Sequence, residues 1–143
     1  MMDFAVQMLE EPEKLNEESK RRVEEYLDFA EKLDSHGHLL DGFTLCSDYC
    51  FNVNPFFTPD QFDELIVPYL KEIISEYRKL GYYMIKHTDG NIMPILKQMA
   101  DCKPDAIHSI DPQGHVNLRE VREIVGDKIA LIGNVNCGLL QTG

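Results

Sequence analysis

The run Tyr82-Tyr83-Met84-Ile85-Lys86-His87-Thr88-Asp89-Gly90-Asn91 passes without interruption from apolar residues into clustered polar groups, and the chain repeats that arrangement three more times. Gly42–Leu45 runs into Ser47-Asp48, Ala106–Ile110 into Asp111-Pro112, and Ile129–Ile132 into Gly133-Asn134-Val135-Asn136. Short β-type runs separated by helical patterns read as βα units, with polar side chains gathered where each strand stops. In parallel α/β folds that edge carries the active site. The pattern therefore restricts the chain to α/β architecture with a parallel sheet.

The intervening segments carry helix signals. Asp3–Leu9 reads as a short helix stopped near Pro12. Asn16–Leu33 reads as a longer one, with Val23, Tyr26, Leu27, Ala30 and Leu33 on one stripe and Gly37 at its end. Leu39–Leu45 is the expected first strand, and Asp48–Phe57 a loop rich in turn residues whose length suits binding. Thr58-Pro59-Asp60-Gln61 opens a helix with a capping box, and Phe62, Leu65, Ile66, Tyr69, Ile73, Ile74 and Tyr77 mark its core face. Pro68 lies inside that pattern and should bend the helix or loosen one turn. A short helix over about Ile92–Ala100, a third strand over Asp105–Ile110, a helix capped by Asn117 and closed at Gly126, and a fourth strand over Lys128–Ile132 follow. Leu139-Leu140 can start one more helix.

Two architectures fit this order: a doubly wound sheet or part of a (βα)8 barrel. A doubly wound nucleotide fold carries a glycine-rich turn after its first strand, and none occurs here. A complete barrel takes about 250 residues, whereas this chain has 143. The preferred fold is therefore α/β, a partial (βα)8 TIM barrel of about four βα units. It is treated as a single domain over 1–143, with a helical lead-in over 1–37 and the four units over 38–143.

Charge narrows the partners. The net charge of −11 makes nucleic acid or an anionic membrane surface an unsuitable partner. No apolar run reaches the roughly 20 residues needed to span a bilayer, and the N-terminal order Met1-Met2-Asp3-Phe4 is not that of a signal peptide. With Cys46, Cys50, Cys102 and Cys137 in core-like or strand-end surroundings, reduced thiols in a cytoplasmic protein are the simplest expectation.

Among the strand ends, His87-Thr88-Asp89-Gly90 is the sharpest chemical signal. His87 can bind a metal or shuttle a proton near neutral pH, and Asp89 can orient it or hold a substrate donor. The competing reading is a turn at Asp89-Gly90-Asn91 with a cap, beside a packed histidine. Asp48, with Tyr49 after it, can accept hydrogen bonds from pyrrole-type N–H groups or cap loop backbone. Asp111 reads as a structural strand exit or a substrate contact. The amides of Asn134 and Asn136 can bind substrate carboxylates or form a turn. Cys46 and Cys50 lack a Cys-x-x-Cys pairing, and His36, His38, His108 and His115 form no ligand pattern.

The motifs Ser47-Asp48-Tyr49-Cys50, Asn54-Pro55-Phe56-Phe57-Thr58-Pro59, Val67-Pro68-Tyr69-Leu70, His87-Thr88-Asp89-Gly90-Asn91 and Gly126-Asp127-Lys128 with Gly133-Asn134 occur in a distinctive order. Together they resemble the uroporphyrinogen decarboxylase superfamily, on the side of its corrinoid-linked methyltransferases. The resemblance implies a (βα)8 barrel of which this chain supplies about strands four to seven. It also implies a small-molecule or tetrapyrrole substrate, either a porphyrinogen decarboxylated without a cofactor or a corrinoid (cobalamin) exchanging a methyl group, with a corrinoid protein as a possible partner. On this basis Asp48, His87 and Asp89 are the expected catalytic residues, and Tyr49, Asp111, Asn134 and Asn136 the substrate contacts. Zinc-dependent members use a His-x-Cys pair and a later cysteine. Only His87 carries over as a metal ligand, because Asp89 stands at the first cysteine position. Four strands without closure leave exposed edges, so a homo-oligomer is expected, and a catalytically inert half-barrel acting by self-association is the alternative.

Overall fold

The computed structural model describes residues 6–8 and 10–142. The helix expected over Asp3–Leu9 falls largely outside them, with 6–8 helical. The first long helix, α1 (Pro12–Asp34), begins earlier than expected, because Pro12 sits in the first turn, where its missing N–H costs nothing. Leu15, Val23 and Ala30 are its buried residues, whereas Tyr26 is half exposed. The remaining elements are β1 (Gly42–Cys46), α2 (Pro59–Leu65), α3 (Val67–Lys79), β2 (Tyr83–His87), α4 (Leu96–Asp101), β3 (Ala106–Ser109), α5 (Leu118–Val125), β4 (Ala130–Gly133) and α6 (Cys137–Thr142). Single turns of 3-10 helix at Met93–Ile95 and Pro112–Gly114 precede α4 and α5.

Local signals explain most of these boundaries. Thr58 caps α2 through a complete capping box with Gln61. Pro68 does break the long helical pattern: Ile66 separates α2 from α3, and the proline falls in the first turn of α3. Asn117 accepts hydrogen bonds from Arg119 N and Glu120 N to start α5, and Gly126 ends it. The strands are displaced from expectation by a few residues. β1 begins at Gly42, leaving Leu39 and Leu40 exposed, and β3 and β4 are four residues each.

All strand pairs are parallel, and the sheet order is β1-β2-β3-β4. Sequential order without reversal is the connectivity of a (βα)8 barrel rather than of a doubly wound sheet. Register sorts the side chains into two faces. Leu45, Lys86, Ile107 and Leu131 share one row on the face covered by helices, with Phe43 and Met84 in the row before it. There Met84, Tyr77, Tyr82, Ile74, Val23 and Ala30 form one core cluster, and Phe62, Ile95, Leu96, Met99, Ile107 and Val121 belong to a second. The opposite face carries two rows, Thr44-Ile85-Ala106-Ala130 and Cys46-His87-His108-Ile132. In a closed barrel such rows fill the interior. Here the first of these rows borders an open cavity of about 570 Å³, lined by Thr44, Tyr83, Ile85, Ala106 and Ala130 among others.

Candidate functional site

Parallel strands end together, so their C-terminal loops converge. The loop after β1 folds onto the one after β2: Asn91 N donates to Phe51 O, and Asn91 Nδ2 to Val53 O. Gly90 makes the close approach possible. Its φ is +83°, and a Cβ there would lie 2.6 Å from Phe51 O and 2.8 Å from Cys50 O. The backbone of Gly114, after β3, packs against Gly90 in turn.

This bracing brings Asp48, His87 and Asp89 together. Asp48 Oδ1 accepts from Asp89 N at 3.1 Å and lies 3.8 Å from His87 Nε2, while Asp89 Oδ2 lies 4.0 Å from the same nitrogen. The imidazole is largely enclosed, with 17% of its side chain exposed, and the carboxylates are open to solvent at 55% and 53%. A ring nitrogen between two carboxylates can take up or deliver a proton, and the outward oxygens can accept N–H groups from a ligand.

The other expected contacts are placed elsewhere. Tyr49 is turned into the helix-side aromatic cluster, 5.1 Å from the Phe62 ring and 6.5 Å from that of Phe57. Burial pushes its hydroxyl well above the usual range. Asp111 Oδ1 accepts from Gln113 N and caps the 3-10 turn. Asn134 Nδ2 donates to Ile110 O, and Asn136 Oδ1 accepts from Gly138 N and Gln113 Nε2. These three side chains are engaged in shaping the loops after β3 and β4 rather than gathered around His87.

Three residues carry weight that the sequence reading did not assign. His108, which joins no ligand pattern in the sequence, meets His87 directly, Nδ1 to Nδ1 at 2.7 Å. The signal was available, since His87 ends β2 as His108 nears the end of β3, and the register pairs them. Thr88 is buried, and its Oγ1 accepts from Tyr49 N. Lys86 points to the helix side and is 0% exposed. Its Nζ donates to Leu45 O, Ser47 O and His87 O, at 3.3, 2.9 and 2.5 Å, and sits 4.1 Å from the Tyr49 ring centroid. Burial pushes its pKa down to about 7, opposed by Cys46, Asp48 and Cys50.

Zinc in the resembling methyltransferases rests on one histidine and two thiolates. Among the described residues, the histidine, cysteine and carboxylate groups that converge are Asp48, His87 and Asp89, one nitrogen and two oxygens without sulfur. Cys50 and Cys102 are buried, their thiols pushed up to about 12 and about 11 chiefly by burial. Cys46 and Cys137 are exposed outside the cluster. A thiolate zinc centre does not fit this donor set.

Comparison with known proteins gives a concordant result. Residues 47–143 match the family Uroporphyrinogen decarboxylase (URO-D). No curated protein matches the chain. Among solved structures, a methyltransferase from Methanosarcina mazei aligns with a TM-score of 0.75 at 21% identity, over 92% of this chain and 36% of that one. At that identity the likeness concerns the fold, and the chain spans little more than a third of that methyltransferase's length. No helix among the described residues is long and apolar enough to cross a membrane.

Proposed function

The chain belongs to the uroporphyrinogen decarboxylase family, and from that premise we propose that it supplies four βα units and one wall of a site that binds a tetrapyrrole and exchanges a proton with it. The carrying observation is His87 Nε2 held between Asp48 and Asp89, at 3.8 and 4.0 Å, on the C-terminal edge of the sheet. In this reading the exposed carboxylate oxygens accept ligand N–H groups, the pyrrole N–H of a porphyrinogen or a peripheral amide N–H of a corrinoid. His87 gives a proton to, or takes one from, the carbon or heteroatom lodged beside it. For decarboxylation, a carbanion left by departing CO₂ takes that proton. For methyl transfer, the corrinoid is the methyl-carrying substrate, and His87 and the carboxylates orient its partner. Tyr49, Asp111, Asn134 and Asn136 support the loops that frame the ligand.

Titrating uroporphyrinogen and cobalamin separately against the protein tests this reading. Saturable binding of either that weakens at least tenfold in Asp48→Asn or His87→Phe supports it, and the ligand that binds chooses between the two chemistries. Absence of binding by both removes the tetrapyrrole.

A second reading is favoured by the sheet edges. Among the described residues β1 and β4 each lack a neighbour on one side, and a cavity of about 770 Å³ follows the β1 edge from Phe43 to Ser47 between α1 and α3. Leu139 and Leu140 of α6 are 70% and 73% exposed beyond β4. Two copies related by a two-fold axis, each β4 beside the other's β1, would close eight parallel strands and cover the open face. The chain would then act through assembly. Sedimentation should show a dimer, and a well-folded monomer at tens of micromolar would exclude this assembly.

A further inference from the structure

The contact between His87 and His108 bears on where protons reside at this site, and it extends the proton-exchange reading above, on which its functional meaning rests. The two rings lie on the same sheet face in register, with centroids 4.9 Å apart, planes 38° apart and Nδ1 atoms separated by 2.7 Å. A gap of that size admits one hydrogen. Two N–H groups facing each other would collide, and two lone pairs would repel with nothing between them.

Two arrangements of the neutral pair remain. In one, His87 carries hydrogen on Nε2 and His108 carries it on Nδ1, so His108 donates. In the other, His87 carries it on Nδ1 and donates, while His108 carries it on Nε2. The flanking carboxylates distinguish them. Asp48 and Asp89 both face His87 Nε2, and a lone pair directed at two anions is unfavourable, whereas an N–H there is favoured. Lys86 Nζ is directed to the opposite face and bound to carbonyl oxygens, and although it interacts with Asp48, Asp89 also faces His87 Nε2.

We propose that His108 is the positioning partner of His87. It donates its Nδ1–H to His87 Nδ1 and keeps the His87 proton on Nε2 beside the carboxylates. The transfer balances. The Nε2–H bond of His87 breaks as its proton passes to the ligand, and a proton from water then bonds to the same nitrogen, releasing hydroxide. Both rings begin and end neutral in the same arrangement, and the net movement is one proton from solvent to ligand. A lone His87 would rely on the carboxylates alone to hold its proton on Nε2, whereas the partner ring adds a donor that only the other nitrogen accepts.

Nitrogen-15 spectra of the histidine rings in the unliganded protein test this directly, with His36, His38 and His115 as internal references. The expected result is a protonated Nε2 and a bare Nδ1 on His87, a protonated Nδ1 on His108, and a scalar coupling across the Nδ1–H···Nδ1 bond. In His108→Phe the coupling should vanish and, with only the carboxylates left to favour Nε2–H, the Nδ1–H tautomer of His87 should gain population. His108→Asn, whose amide can donate from nearly the same place, should restore the Nε2–H form. The proposal is overturned if the native spectrum shows no coupling, if His87 carries its proton on Nδ1, or if His108→Phe leaves the His87 ring signals unchanged. Because the native spectrum is itself decisive, failure of either variant to fold does not shelter the idea. No ligand enters this measurement. A coupled pair in a protein that binds no tetrapyrrole refutes the ligand assignment alone, and tetrapyrrole binding without coupling refutes the pair alone.

Discussion

Lys86 permits a quantitative test of how the strand ends are held. Its ammonium is fully buried, and three carbonyl oxygens from Leu45, Ser47 and His87 surround it. Burial lowers its pKa from 10.5 to about 7. A base whose folded pKa is depressed favours folding in its neutral form. The stabilisation is therefore complete above the unfolded pKa of 10.5 and is lost progressively as pH falls from there to about 7. Between those values the unfolded chain binds one more proton than the folded one at this residue, so stability rises by about 1.4 kcal/mol per pH unit. Lys86→Met keeps an unbranched stem of similar length and removes the titration. It also leaves Ser47 O and its neighbours short of a donor, a cost of about 1–3 kcal/mol that does not vary with pH. Subtracting the variant from wild type isolates the linkage. From pH 7 to pH 9 the difference should move by about 2 kcal/mol in favour of wild type, allowing for half-titration at the lower end. Urea unfolding followed by circular dichroism at pH 7, 8 and 9 reads it. A pH-independent difference would refute the reasoning, and would mean that the three carbonyls hold the charge on Lys86 against the cost of burial.

Other perturbations probe separate parts of the fold. Gly90→Ala places a Cβ at φ +83° against the carbonyls of Cys50 and Phe51 and should cost at least about 2 kcal/mol, seen as a lowered Tm. An unchanged Tm would mean that the two loops are not braced there. Thr58→Ala removes one side of the capping box and should cost about 1 kcal/mol in denaturant unfolding, with Thr58→Ser recovering most of it. With Ellman's reagent under native conditions, Cys46 and Cys137 should react rapidly and Cys50 and Cys102 only upon unfolding, since burial raises the latter two thiols. Four equally fast thiols would contradict the placement of these residues.

The readable parts of the chain were those whose cause is local. Thr58, Asn117 and Gly126 mark helix ends because a cap is a contact among neighbours, and the structure places those ends within a residue or two. Pro68 was legible as an interruption for the same reason. Strand limits were less so: Leu39 and Leu40 look like strand residues, yet β1 starts at Gly42, where pairing with Tyr83 begins. A strand needs a partner, and which residues find one depends on the register of a segment some forty positions away.

The site divides in the same way. By itself the sequence determined that four apolar runs end in polar clusters, that these runs are short enough for strands, and that Asp48, His87 and Asp89 stand at their ends. Hydrophobic periodicity and turn chemistry suffice for that, because both act over a few residues. Only the tertiary structure decided which polar groups meet. Parallel register placed His108 against His87 and turned Lys86 to the helix side, while the loop returning over Gly90 brought the Asp48 carboxylate onto the backbone N–H of Asp89. The same geometry turned Tyr49 inward and engaged Asp111, Asn134 and Asn136 in their own loops. The physical reason is that strand alternation allows a side chain either face, and only pairing and helix packing fix which face is covered.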